Sequence, residues 1–190
     1  MADELTVGDA LPQNCEPIEI HVNELSVLFN AMDPSPLPGK DLDPKAEEFI
    51  VSWARSLHRD AQLAIQVDVD RPGVSDHMAL VHDGIHEFFR QRSLSASRRL
   101  NQLFRVGRTS LLIGVVFLTV AVTLAGLVDR ALGGSQVSAL IRESMVIGGW
   151  VAMWRPLEIF LYDWWPILAE RKLFDRLSAA PVRIRFKPAS

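Results

Sequence analysis

The sharpest chemistry in this 190-residue chain lies in one short string, His82-Asp83-Gly84-Ile85-His86. Two histidines four apart share a helix face and can grip one zinc ion, and an acid beside the first is where a zinc hydrolase keeps its general base. Three features weigh against that chemistry. Asp83 reaches one methylene less far than the usual glutamate, Gly84 weakens the helix that must hold the pair, and no distal third ligand announces itself. His77 and Glu87 are merely neighbours in sequence. The expectation is therefore no metal, no cofactor and no catalytic residue, with a zinc-dependent hydrolase through His82 and His86 ranked third among the possible functions.

A second set of polar residues interrupts an otherwise apolar stretch. At 100° per residue, Arg155, Glu158, Tyr162, Asp163, Pro166 and Glu170 fall on one side of a helix, while Leu157, Leu161, Trp164 and Leu168 fall largely on the other. If the helix crosses a bilayer from about Ser144 to Trp164, Arg155 sits near the middle. A lone charge there costs roughly 2.5–3.5 kcal/mol, which Glu158 at i+3 can offset. Pro156 removes one backbone hydrogen bond and is expected to kink the helix. Such a stripe can bind the other span or another protein. It can lie along the cytoplasmic surface if the span runs earlier, near Val137–Trp154, or it can line an oligomeric pore.

Residues 109–128, TSLLIGVVFLTVAVTLAGLV, are twenty consecutive residues without a charge. As a helix they rise about 30 Å, the thickness of the hydrocarbon core. They begin more than a hundred residues in, so they are not a signal peptide. Ser135 can cap a second helix through Val137, Leu140, Ile141 and Met145–Trp165. Arg90, Arg92, Arg98, Arg99, Arg105 and Arg108 precede the first stretch, and Arg171, Lys172 and Arg176 follow the second. The connecting loop has only Arg130 and Arg142, offset by Asp129 and Glu143. Excess Lys and Arg marks the cytoplasmic side, so a transmembrane hairpin with both termini inside is expected. Small residues at i,i+4, such as Ser110/Gly114, Ala121/Ala125 and Gly148/Ala152, permit close helix packing within or between subunits.

Three short segments alternate with period two: Ile18-Ile20-Val22, Leu63-Ile65-Val67-Val69 and Val182-Ile184-Phe186. Their polar faces are acidic or neutral on the first two and basic on the last. Between the first two, Asp43 is a good N-cap and Pro44 suits the first helical position. Ala46, Phe49, Ile50, Trp53, Ala54 and Leu57 then form one apolar face. Strand, helix, strand in that order predicts a parallel, right-handed unit. Arg71-Pro72-Gly73 turns the chain, and Ser75 can cap a helix carrying Leu80, Val81, Ile85, Phe88 and Phe89. That helix can run on into the first span, with Ser93–Ser97 the likeliest kink. The last strand follows both apolar stretches and can complete the sheet only if the chain returns to its starting side.

The strings Leu28-Phe-Asn-Ala-Met-Asp-Pro-Ser-Pro, Asp41-Leu-Asp43, Ala46-Glu-Glu-Phe-Ile50 and Trp53-Ala-Arg55 resemble a group of uncharacterised bacterial proteins. Trp154-Arg-Pro-Leu-Glu158 through Tyr162-Asp-Trp-Trp-Pro166 is similar to that group's C-terminal signature. The resemblance implies a bacterial membrane protein and carries over no catalytic residue. Trp154 and Glu158 also resemble the Trp-Asp-x-x-Glu-Pro filter of calcium uniporters. Arg155 replaces the acid there and Ile159 the final proline, so that family is not adopted.

Composition narrows the classes further. Cys15 is the one cysteine, so no intramolecular disulfide can form. Residues 1–89 hold 17 Asp/Glu against 5 Lys/Arg, and residues 90–190 hold 6 against 15. The acidic half argues against nucleic acid, which needs clustered cations. No phosphate loop, dinucleotide fingerprint or nucleophile elbow marks a small-molecule substrate. The resulting expectation is an α/β membrane protein: a transmembrane helical hairpin plus a small cytosolic three-stranded α/β domain built from both chain ends. Residues 1–16 would be a flexible N-terminus, 17–108 with 178–190 the cytosolic domain with its juxtamembrane helix, and 109–177 the hairpin with an amphipathic extension. It would sit in the bacterial inner membrane as a homo-oligomer or part of a larger complex. The leading function is a non-enzymatic scaffold, accessory or regulatory subunit; an oligomeric ion conduit using Arg155, Glu158, Tyr162 and Asp163 comes second.

Overall fold

The computed structural model describes residues 6–13, 15–35, 39–58, 61–70, 76–131, 133 and 135–186, with the side chains of 76–79 set aside. The Arg71-Pro72-Gly73 turn and the Ser75 cap lie outside these residues. Two compact units are present, Met1–Ser95 with Glu170–Ser190, and Ala96–Ala169.

The first unit is built on a mixed sheet of strands β1 (Thr6–Gly8), β2 (Cys15–Val22), β3 (Gln62–Val69) and β4 (Val182–Phe186), in the order β1-β4-β3-β2. β2 and β4 both run parallel to β3, and β1 runs antiparallel to β4. The expected three-stranded sheet is thus corrected to four strands. The added strand is three residues long, too short to show an alternating pattern, and it pairs with a strand that starts some 170 residues later. Gly8 holds φ at +112°, and a Cβ there would collide with the Val182 carbonyl oxygen, so only glycine lets β1 end this close to β4.

Register places Ile18, Ile65 and Val182 side by side, then Ile20, Val67 and Ile184. This apolar face is buried with Ile50 and Ala54 from helix α1 (Pro44–Ser56). Val81, Ile85 and Phe89 of helix α2 (Asp76–Ala131), and Phe174 and Leu177 of helix α4 (Trp164–Ser178), complete the core. Asp43 caps α1 by accepting from the Lys45 N–H at 2.9 Å, with Pro44 at the first helical position. The face that α1 buries is narrower than its apolar residues suggest. Phe49 and Trp53 are exposed and stack against each other instead, while Val51 goes inside.

Residues 28–35 and 41–43 meet in one loop ahead of α1. Phe29 bridges Leu42, the Asp43 N–H donates to the Leu28 carbonyl, and Asp33 accepts from the N–H groups of Ser35 and Asp41. These polar residues close the loop through backbone and side-chain hydrogen bonds.

The second unit pairs the C-terminal part of α2 with helix α3 (Gln136–Glu158). α2 is unbroken through Ser93–Ser97, and it is long and apolar enough to cross a membrane; only 17% of its most apolar window is buried. A Cβ on Gly107 would meet Ile159, one on Gly114 would meet Met153 and Ala152, and one on Gly149 would meet Leu118. The Ser138 hydroxyl donates to Asp129 near the other end. The partners step in opposite directions along the two helices, so α3 lies antiparallel to α2 from Asp129 to Gly107. Ser135 caps α3 as its sequence suggests. Pro156 leaves the Ala152 carbonyl without its helical donor, and this is the oxygen packed against Gly114. A π-helical turn, Ile159–Asp163, then joins α3 to α4.

Candidate functional site

His82 and His86 fall on one face of α2 with their rings stacked, centroids 4.6 Å apart. The distal acid that the sequence does not announce is Asp9, which the fold brings beside both rings. Its backbone is fixed by β4: the Asp9 N–H donates to the Val182 carbonyl at 3.0 Å, and Arg183 Nε donates to the Asp9 carbonyl at 3.3 Å. This directs the carboxylate onto α2, where Oδ2 lies 3.0 Å from His82 Nε2 and also accepts from the Val182 N–H at 3.2 Å. An Asp9 carboxylate oxygen and one nitrogen of each histidine lie within 4.8 Å of one another.

The two imidazoles are electrically unlike. Burial works against a charged His82, yet hydrogen bonds to Asp9 and Asp83 outweigh it and raise its pKa above the ordinary histidine value. The bond from His82 in turn holds the Asp9 carboxyl low. His86 is pushed down, first by burial and then by the charge on His82. Its Nε2 is buried with no hydrogen-bond partner, while the backbone of Ala180 hydrogen-bonds the ring. Asp83 bonds His82 Nδ1 at 3.1 Å, so the acid beside the first histidine helps orient that ring.

The polar stripe lies apart from this cluster, in the second unit. Trp154 Nε1 donates to Glu158 at 2.9 Å, Arg155 donates to Glu158 at 3.1 Å, and Arg155 also reaches Asp163 at 3.5 Å. Pro156, Ile159 and Phe160 are drawn toward α2, whereas Trp154 (66% exposed) and Tyr162 (70% exposed) point away from it. The antiparallel register sets Arg155 level with Leu112 and Glu158 level with Thr109, at the start of the uncharged stretch of α2.

Compared with protein-family models, with curated proteins and with solved structures, the chain matches none.

Proposed function

We propose that this chain is a two-span protein of the bacterial inner membrane, with both termini cytoplasmic, acting as a non-enzymatic scaffold, accessory or regulatory subunit. One observation carries the reading. β4 follows the apolar helix in sequence, yet it sits between β1 and β3, which precede that helix. If α2 crosses a bilayer, the chain must cross back to place β4 there. α3 supports that return, because it lies antiparallel along the whole uncharged stretch of α2. The arginines before α2's apolar part and those in α4 then share one side, as the positive-inside rule requires.

The register of the pair also relieves the cost of Arg155. Opposite Leu112, it lies at the cytoplasmic end of the span, within reach of the headgroups, where its side chain can snorkel. The outward face carrying Trp150, Trp154, Tyr162 and Trp165 suits that interfacial depth or a second copy of the chain. This favours protein or headgroup contact over an ion conduit, since Arg155 sits against both carboxylates a cation would need and offsets one of their two charges. The acidic residues of the first 89 positions give the cytosolic domain its surface for partners.

Single cysteines placed at Ala10, Val137 and Ala179 in a Cys15→Ser background test the topology in sealed vesicles. Positions 10 and 179 are expected to label from the same face and 137 from the other; labelling of 10 and 179 from opposite faces overturns two spans. The native mass of the detergent-extracted protein tests the scaffold role. A bare 21.2 kDa monomer with nothing bound would count against it.

A further inference from the structure

We infer that Asp9, His82 and His86 form a binding site for a divalent transition cation of the zinc type, at the point where the two ends of the chain meet α2. Two imidazole nitrogens and one carboxylate oxygen are the donor set that Zn²⁺ and its neighbours in the first transition row accept, and that the oxygen-seeking Ca²⁺ and Mg²⁺ do not prefer. The spacing is already close, with all three donor atoms inside 4.8 Å. Small side-chain rotations bring such atoms to the roughly 2.0–2.2 Å ligand distances of zinc.

Three further features fit a cation. His86 Nε2 is a buried nitrogen without a partner, a costly arrangement, and among the described residues no other buried side-chain nitrogen or oxygen lacks one. A metal bond would satisfy it. His82 has its supporting acid in place, since Asp83 on Nδ1 leaves Nε2 as the coordinating atom, the carboxylate–histidine–metal chain common to such sites. His82 Nε2 and Asp9 Oδ2 now face each other at 3.0 Å across a shared proton. A cation takes the place of that proton: His82 releases it to solvent and both atoms become ligands. Three protein ligands leave a fourth position for water. Asp83 is already engaged with the His82 ring as its supporting acid. We therefore assign a structural or sensing role, in which the ion clamps β1 and the Ala180–Val182 approach to β4 onto α2.

The test uses the full-length protein in detergent, stripped with a chelator and titrated with ZnCl₂ by calorimetry. Co²⁺ serves as a second probe, read by its visible absorption. Expected are equimolar zinc, a four-coordinate cobalt spectrum, and affinity reduced by about tenfold or more in Asp9→Asn, His82→Gln and His86→Gln. His21→Gln, on the far side of the sheet, is expected to bind like the parent. Absence of equimolar zinc overturns the site, as does unchanged binding in both Asp9→Asn and His86→Gln, or an equal loss in His21→Gln. Far-UV circular dichroism checks each variant's fold; should a histidine variant unfold, Asp9→Asn decides, because its side chain remains partly open to solvent.

Discussion

Asp68 and Arg185 face each other across β3 and β4, and the guanidinium donates two hydrogen bonds of 2.8 Å to the two carboxylate oxygens. His21 on β2 approaches the same carboxylate at 3.3 Å, so one row of three strands shares a single buried acid. The Asp68 side chain is 2% exposed and Arg185 is 35% exposed. Breaking this pair from the arginine side strands a buried charge. Arg185→Met is expected to destabilise the sheet by about 3 kcal/mol, the lower part of the range for a buried pair, because the guanidinium is partly solvated. Replacing both partners, as Asp68→Leu with Arg185→Met, should recover most of the loss. Hydrogen exchange of the β3 amides reads both; equal exchange in Arg185→Met and the parent refutes the assignment.

The same pair sets an acid limit. Hydrogen bonds from Arg185 hold the Asp68 carboxyl below the ordinary aspartate range. The folded state thus binds a proton at Asp68 less readily than the unfolded chain does. This contribution is fully present above the unfolded value of about 3.9 and is lost as pH falls through the lower folded value. Stability of the sheet-bearing unit should drop between about pH 4 and the folded Asp68 value. Asp68→Asn, less stable at neutral pH, should show a flatter decline over that window. Parallel acid profiles for the two proteins would refute the assignment.

Adjacent glycines on α3 provide an internal control for the helix pair. A Cβ on Gly149 would sit 2.5 Å from Leu118 Cδ1 and 3.4 Å from Leu118 Cα, whereas one on Gly148 meets nothing within 4 Å. Alanine in place of a helical glycine contributes about 1 kcal/mol of propensity. Overpacking a tight contact costs about 1–3 kcal/mol. Gly148→Ala should therefore stabilise the pair and Gly149→Ala should not, with a gap of about 1–3 kcal/mol between them. Unfolding in detergent titrated with sodium dodecyl sulfate measures it. The reverse order would mean that α3 turns its other side to α2.

The parts of this fold legible in the sequence are those whose signal is local. Period-two alternation finds β2, β3 and β4, and the Asp43-Pro44 and Ser135 caps mark the starts of α1 and α3, because each is settled within a few residues. The basic last strand opposite acidic neighbours foretells Asp68–Arg185, since complementary faces survive translation into register. What is not legible depends on contacts between distant segments. β1 has too few residues for a pattern, and Asp9 becomes a neighbour of His82 only through pairing with β4. The depth of Arg155 is similar: counted along its own helix it falls mid-span, and only the glycine contacts that fix the antiparallel register move it toward the end.

β4 occupies an inner position of the sheet, and this makes the C-terminal strand the element on which the first unit depends most. Removing residues 181–190 takes the partner from β1 and bares the β3 edge at Ile65, Val67 and Val69. It also strips Asp68 of its guanidinium and Asp9 of the Val182 carbonyl that fixes it. Three buried side chains, Val182, Ile184 and Phe186, leave the core as well, each contributing roughly 1.5–3 kcal/mol by burial. That total is comparable to the whole stability of a small domain. The truncated chain keeps α2 and α3, but its β2–β3 region should become trypsin-sensitive. A shorter deletion of residues 187–190, beyond β4, serves as the control and should remain resistant. Equal resistance of both truncations would show that β4 does not hold the sheet together.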